Sequence, residues 1–145
     1  LCGNADMFAI MKAIENIENG LQTSEFGIGA QRVLEMATID GARALGLGEQ
    51  IGSLIPGKRA DIILVRTTDV NMLPFTVPTR MIVQAAQPAN IEAVIVDGRF
   101  LKRNGKLTTI DLAQLARDSA DTIERARKEA TKEGAEKGIN ELFTR

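Results

Sequence analysis

Three carboxylates, Asp61, Asp69 and Asp97, are the first residues to weigh as chemistry. Oxygen ligands alone can hold Mg²⁺ or Ca²⁺. Turn chemistry explains two of the three more simply. Asp61 follows the Pro56-Gly57 turn and Asp97 precedes Gly98, and aspartate is favoured there because its carboxylate bonds nearby backbone. The trio is therefore read as structural, and no metal ligand is assigned. The chain of 145 residues has no histidine. A Ser-His-Asp relay, a Cys-His pair and a His-rich zinc site are thus excluded within it. Cys2 is the single thiol, and no basic residue precedes Lys12 to draw it toward thiolate, so it is read as a bystander. The glycines of Gly46-Leu-Gly-Glu-Gln-Ile-Gly52 are spaced like a phosphate cradle. They follow a helix and precede a strand, whereas such a cradle needs the reverse order. No catalytic residue is assigned to this chain.

Composition narrows the partners. A formal net charge of −1 and a pI near 5.6 give no basic surplus for nucleic acid. Five Phe, no Trp and no Tyr leave few platforms for stacking bases. No apolar run reaches the roughly eighteen residues that span a bilayer, so no membrane partner is expected. Leu1 to Ile10 lacks a basic leader, and a lone thiol fits a reducing compartment; a cytoplasmic location is expected. The sequence begins with Leu, which points to a fragment or a processed product.

The elements that must position any site read as helix, helix, strands, helix. Met7, Ile10, Met11, Ile14 and Ile17 recur at helical spacing, opposite Lys12, Glu15, Asn16 and Glu18, so those Met and Ile residues are expected in the core. Asn4 or Asp6 can cap this helix and Gly20 can end it. A second helix is expected from Ala30 to Leu45, with Gly41 and several alanines giving it a flat face. Strands are expected at Ile51–Ile55, Ala60–Arg66 and Arg80–Ala86. The apolar run Ile62–Val65 suits a strand covered on both faces. Thr67–Thr79, with Pro74 and Pro78, reads as a loop. Ile91–Val96 and Arg99–Lys102 form a hairpin through Asp97-Gly98, and Asn104-Gly105 makes a second tight turn. From Asp111 a long helix begins with a capping-box spacing to Gln114. Glu124–Lys128 and Glu133–Lys137 support its exposed face, and Gly134 and Gly138 weaken its end. So few short strands read as part of a sheet completed from elsewhere.

Three stretches carry a resemblance: Thr38-Ile-Asp-Gly-Ala-Arg-Ala-Leu-Gly46, Ile51-Gly-Ser-Leu-Ile-Pro-Gly-Lys-Arg-Ala-Asp61 and Val94-Ile-Val-Asp-Gly-Arg99. In this order they resemble the C-terminal end of the metal-dependent amidohydrolases, on the cytosine-deaminase and chlorohydrolase side. The resemblance implies a mixed α/β fold in which residues 1–46 are the last helices of a (β/α)₈ barrel. Residues 49–109 would be the C-terminal part of a composite β-sandwich, and residues 110–145 a helical extension. Gly3-Asn-Ala-Asp-Met-Phe8 is similar to the segment after the family's last metal-binding aspartate, which would lie a few residues before Leu1. Asn4 is then the candidate substrate-side residue, with helix capping as its equal alternative. The implied reaction is hydrolysis of a non-peptide C–N bond, the deamination of a small heterocycle, by water activated on Zn or Fe. The His ligands and the acid/base carboxylate would come from upstream, so this chain alone is expected to be inactive. A non-catalytic relative serving as an assembly or binding module is the alternative. Open apolar faces lead us to expect a homo-oligomer.

Overall fold

A computed structural model describes residues 5–24 and 27–132, with side chains through Glu129. The chain divides into two compact units, Leu1–Thr108 and Thr109–Arg145.

Helix α1 spans Met7–Leu21. Asp6 is its N-cap, accepting a hydrogen bond from the Phe8 N–H at 3.0 Å. Asn4, the other residue read as a possible cap, lies outside the described residues. The buried side chains of α1 are Phe8, Met11 and Glu15. This corrects the expected face: Met7, Ile10 and Ile17 are exposed, and Glu15, expected in solvent, is buried. Glu15 tolerates burial because Gln84 Nε2 donates to its Oε2 at 2.7 Å.

The second helical stretch is continuous but not uniform. Helix α2, Ala30–Glu35, passes into a π turn at Met36–Asp40 and then into α3, Gly41–Ala44. The Gly41 N–H reaches back to the Met36 carbonyl, the wide bond that defines the π turn. A Cβ on Gly41 would sit 3.3 Å from that oxygen, so glycine fits the widened turn. Thr38 Oγ1 donates to the Leu34 carbonyl at 2.7 Å, a back-bond that bends helices.

The segment expected as the strand Ile51–Ile55 forms turns and bends instead. Its backbone is committed locally: Ile51 N–H donates to Leu47 O at 3.0 Å and Arg59 N–H to Gln50 O at 2.8 Å. Strand β1, Ile62–Val65, follows. A 3₁₀ turn, Val70–Met72, interrupts the expected loop and buries Met72 completely. Arg80–Ala86, expected as a strand, lies instead in helix α4, Pro78–Gln84, and the two residues after it. Proline at the first helical turn explains the difference: its φ is preset for a helix and its missing N–H costs nothing there. The β-branched pair Ile82-Val83 misled the reading, and helix α4 buries Val83 in the core.

The sheet is antiparallel in the order β1-β2-β3-β4, with β2 Ile91–Val96, β3 Arg99–Arg103 and β4 Lys106–Leu107. Ile63 faces Val94 and Leu64 faces Ala93 across the first ladder. Both hairpin turns are as expected. Asp97 and Gly98 have φ of 49° and 77°, and Asn104 and Gly105 have 50° and 74°. Primed turns need such positive values to match the strand twist. One core joins α1, α2 and α4 to the near ends of β1 and β2. Phe8, Met11, Val33, Met72 and Val83 are buried there, with Val65 and Ile91 packed against them. Ile63 and Leu64 are each 50 % exposed, so β1 is not covered on both faces by the described residues.

In the second unit, helix α5 spans Leu112–Lys132. Asp111 accepts from the N–H groups of Ala113 and Gln114 at 2.9 and 3.1 Å, as its sequence spacing implied. Lys128 pairs with Glu124 at 3.5 Å. Glu133–Lys137, Gly134 and Gly138 lie outside the described residues. No helix among the described residues is long and apolar enough to cross a membrane.

Candidate functional site

The acidic trio does not converge. Asp61 accepts the backbone N–H of Asp97 at 2.7 Å, which ties the start of β1 to the β2–β3 turn. Asp97 itself occupies that turn, 4.0 Å from Arg59. Asp69 belongs to another network, in which Arg66 Nε donates to it at 2.7 Å and Asn90 Nδ2 at 2.7 Å. The Arg66 hydrogen bond, then that of Asn90, holds the Asp69 carboxyl below the usual carboxylate range. Among the described residues no three His, Cys, Asp or Glu side chains are placed to hold a metal ion. With no histidine in the chain, the described residues do not fit a catalytic zinc.

Asn90 is the residue that sequence reasoning missed. It is 2 % exposed and is the hub of the network. Its amide donates to Asp69 and Asn71, while its carbonyl accepts from Asn71 Nδ2 at 2.9 Å and from the Gln87 N–H at 2.8 Å. Gln87 and Asn90 form a reciprocal cap across the Pro88–Asn90 turn. The i, i+3 spacing around Pro88 was the available signal.

A polar cleft of 580 Å³ lies beside the start of α1, lined by Asp6, Lys12, Asn71, Gln84 and Gln87 among others. Its amides are already engaged. Asn71 Nδ2 donates to Ala85 O at 2.8 Å, and Gln84 Nε2 serves both Glu15 and Asn16. The cleft therefore holds no free acid/base pair with a nucleophile beside it. Asn4 and Cys2 lie outside the described residues.

The motif segments build a joint between the helices and the sheet. Gly52 has φ of +86°, and a Cβ there would meet the Ala42 Cβ at 2.7 Å and the Ile39 Cα at 3.0 Å. Only glycine lets the loop press this closely on the π turn. Below it, the Lys58 ammonium donates to Gly48 O, Ile51 O and Ser53 Oγ, which fastens the loop from inside. On the other side of the π turn runs an apolar groove of 470 Å³, with Met7, Ile10 and Leu45 at its rim and Ala37, Gly41 and Ala42 within it.

Residues 2–101 match the amidohydrolase family. This chain belongs to that family. It is 37 % identical over 108 residues to a 5-methylthioadenosine/S-adenosylhomocysteine deaminase of Acetivibrio thermocellus, covering 74 % of this chain and 25 % of the relative. A 5'-deoxyadenosine deaminase of Methanobrevibacter smithii is 34 % identical over 130 residues, covering 89 % of this chain and 30 % of the relative. Among solved structures, an adenosine deaminase from Xanthomonas campestris with bound zinc superposes at a TM-score of 0.80 and 26 % identity, covering 84 % of this chain and 28 % of that one. A zinc complex of an atrazine chlorohydrolase from Arthrobacter aurescens shares the fold at a TM-score of 0.72 and 22 % identity, over 79 % of this chain and 25 % of that one. The family member described here thus spans about a quarter of the length of the relatives it matches. Its mixed α/β fold with a small antiparallel sheet is that of amidohydrolase structures.

Proposed function

We propose that this chain is the C-terminal part of a metal-dependent amidohydrolase that deaminates a small purine-type substrate, a 5'-modified adenosine before any other. The observation that carries this is the identity of 37 % and 34 % to deaminases of such nucleosides over most of the chain. The helices of residues 1–46 would belong to the parent's barrel. Residues 49–109 would supply part of its sandwich domain, and residues 110–145 a helical extension. The metal, zinc or iron, and the acid/base group would be held by the part of the protein that this chain does not span. The lack of histidine and of any metal-holding cluster among the described residues supports this division. The role left to this chain is positional: the Gly52 contact and the Lys58 fastening hold the helix pair on the sheet. Asn4, just ahead of α1, is proposed to lie on the substrate side.

The test compares the full gene product with the 145-residue chain. Ammonia release from 5'-methylthioadenosine, S-adenosylhomocysteine and 5'-deoxyadenosine is measured, together with bound metal. We expect turnover and metal in the full product and neither in the chain alone. Turnover with stoichiometric metal in the chain alone would overturn the reading. A native product of 15.7 kDa would favour a non-catalytic module instead.

A further inference from the structure

Resting on the reading that this chain is one part of a longer amidohydrolase, we infer that the groove between α1 and the Met36–Ala44 stretch is the seat of the part it does not span. No charged side chain lines the groove. Met7 is 51 % exposed, Ile10 41 % and Leu45 75 %. A contiguous apolar concavity of this kind marks an interaction surface. The polar group at its edge, the Thr38 hydroxyl, is already bonded to Leu34 O. An occupant therefore has to bring apolar side chains and no charge. The walls are firm without it, because Met11 and Val33 are buried beneath the two helices in the chain's own core.

The shape selects the occupant. A second copy related by a two-fold axis would set groove against groove, and two concave surfaces leave their floors unfilled. A convex ridge is needed, either a helix or a row of strand side chains. The length of the relatives supplies its source. The chain superposes over 84 % of its own length on a solved zinc-bound deaminase yet covers 28 % of that protein. The remainder of such a polypeptide must pack on this part, and the groove is the uncharged concavity that the two helices leave open to it.

The test labels single cysteines in the Cys2→Ser background. Ile10→Cys and Leu45→Cys are placed in the groove, with Val70→Cys as a site 89 % exposed and outside it. Each is made both in the 145-residue chain and in the full gene product. Reaction with a small maleimide is expected to be about tenfold slower or more at the two groove sites in the full product, as local burial protects against attack. Val70→Cys should label alike in both. Equal rates at the groove sites in the two proteins overturn the inference, as does a native product no longer than this chain. A second readout does not depend on labelling. Leu45→Glu should lower the Tm of the full product and leave that of the chain unchanged, and the opposite pattern also overturns the inference. Deaminase activity is assayed on the same full-length samples. Protected groove sites without deamination leave the seat standing and remove the substrate reading.

Discussion

At Asn90 one side chain serves four partners from the β1–α4 connection and the α4–β2 turn. Replacement by alanine leaves Asp69, Asn71 and the Gln87 N–H with lost hydrogen bonds in a site that is 2 % exposed. We expect a loss of about 2–3 kcal/mol, the cost of unsatisfied buried polar groups, read as a lower urea midpoint at unchanged slope. Asp69 and Asp40 each sit beside arginine, and hydrogen bonds from Arg66 and Arg32 hold their carboxyls below the usual range. A folded-state pKa below the unfolded one means that the stabilisation is present above the unfolded value, about 3.9. It is lost as pH falls through the lower folded value. Acid unfolding should therefore be less steep in Asp69→Asn than in the wild type, followed by circular dichroism from neutral pH downward. Equal steepness would remove Asp69 from the acid response.

The elements carry a different lesson. Asp111→Ala should cost α5 about 1 kcal/mol of helix stability, seen as lost far-UV helical signal, because Asp111 accepts from two N–H groups of the first turn. This cap was legible because capping is a local interaction with a fixed spacing. The two Asx-Gly turns were legible for the same reason. The segment Arg80–Ala86 was misread because Met81-Ile82-Val83 fits strand and helix alike, and the deciding residue, Pro78, had been assigned to the preceding loop. Ile51–Ile55 was misread because the Lys58 ammonium reaches back across its own loop, and nothing in the local pattern announces that. The buried face of α1 was rotated by one position. Phe8 and Glu15 turn inward because α4 offers Gln84 to Glu15, a tertiary partner invisible along the helix. The Met36–Asp40 turn left a trace only in Gly41. Of the candidate site, the absence of chemistry was plain from the missing histidines, whereas the Asn90 hub was not.

At the scale of the molecule, a folded core coexists with open surfaces. Met72→Ala should cost about 2–5 kcal/mol, the range for truncating a buried methionine, because Met72 is fully buried between the helices and the sheet. Thermal unfolding measures this, and a smaller loss would mean that the core collapses around the gap. The isolated chain, equilibrated with zinc and desalted, should retain no stoichiometric metal by elemental analysis, consistent with the described residues. The π turn has a consequence for inheritance. A helix with one wide turn carries one more residue than a regular helix of the same span. Deleting a residue between Met36 and Asp40 would let the helix close its ordinary bonds. Everything after it would then swing by about 100°, one residue's share of a turn. Ala42 would leave the notch beneath Gly52, and the sheet would lose the bearing that sets its azimuth. Length variation in this protein is therefore expected to fall in loops such as 22–29, where an added residue turns nothing, and to spare the five residues of that turn.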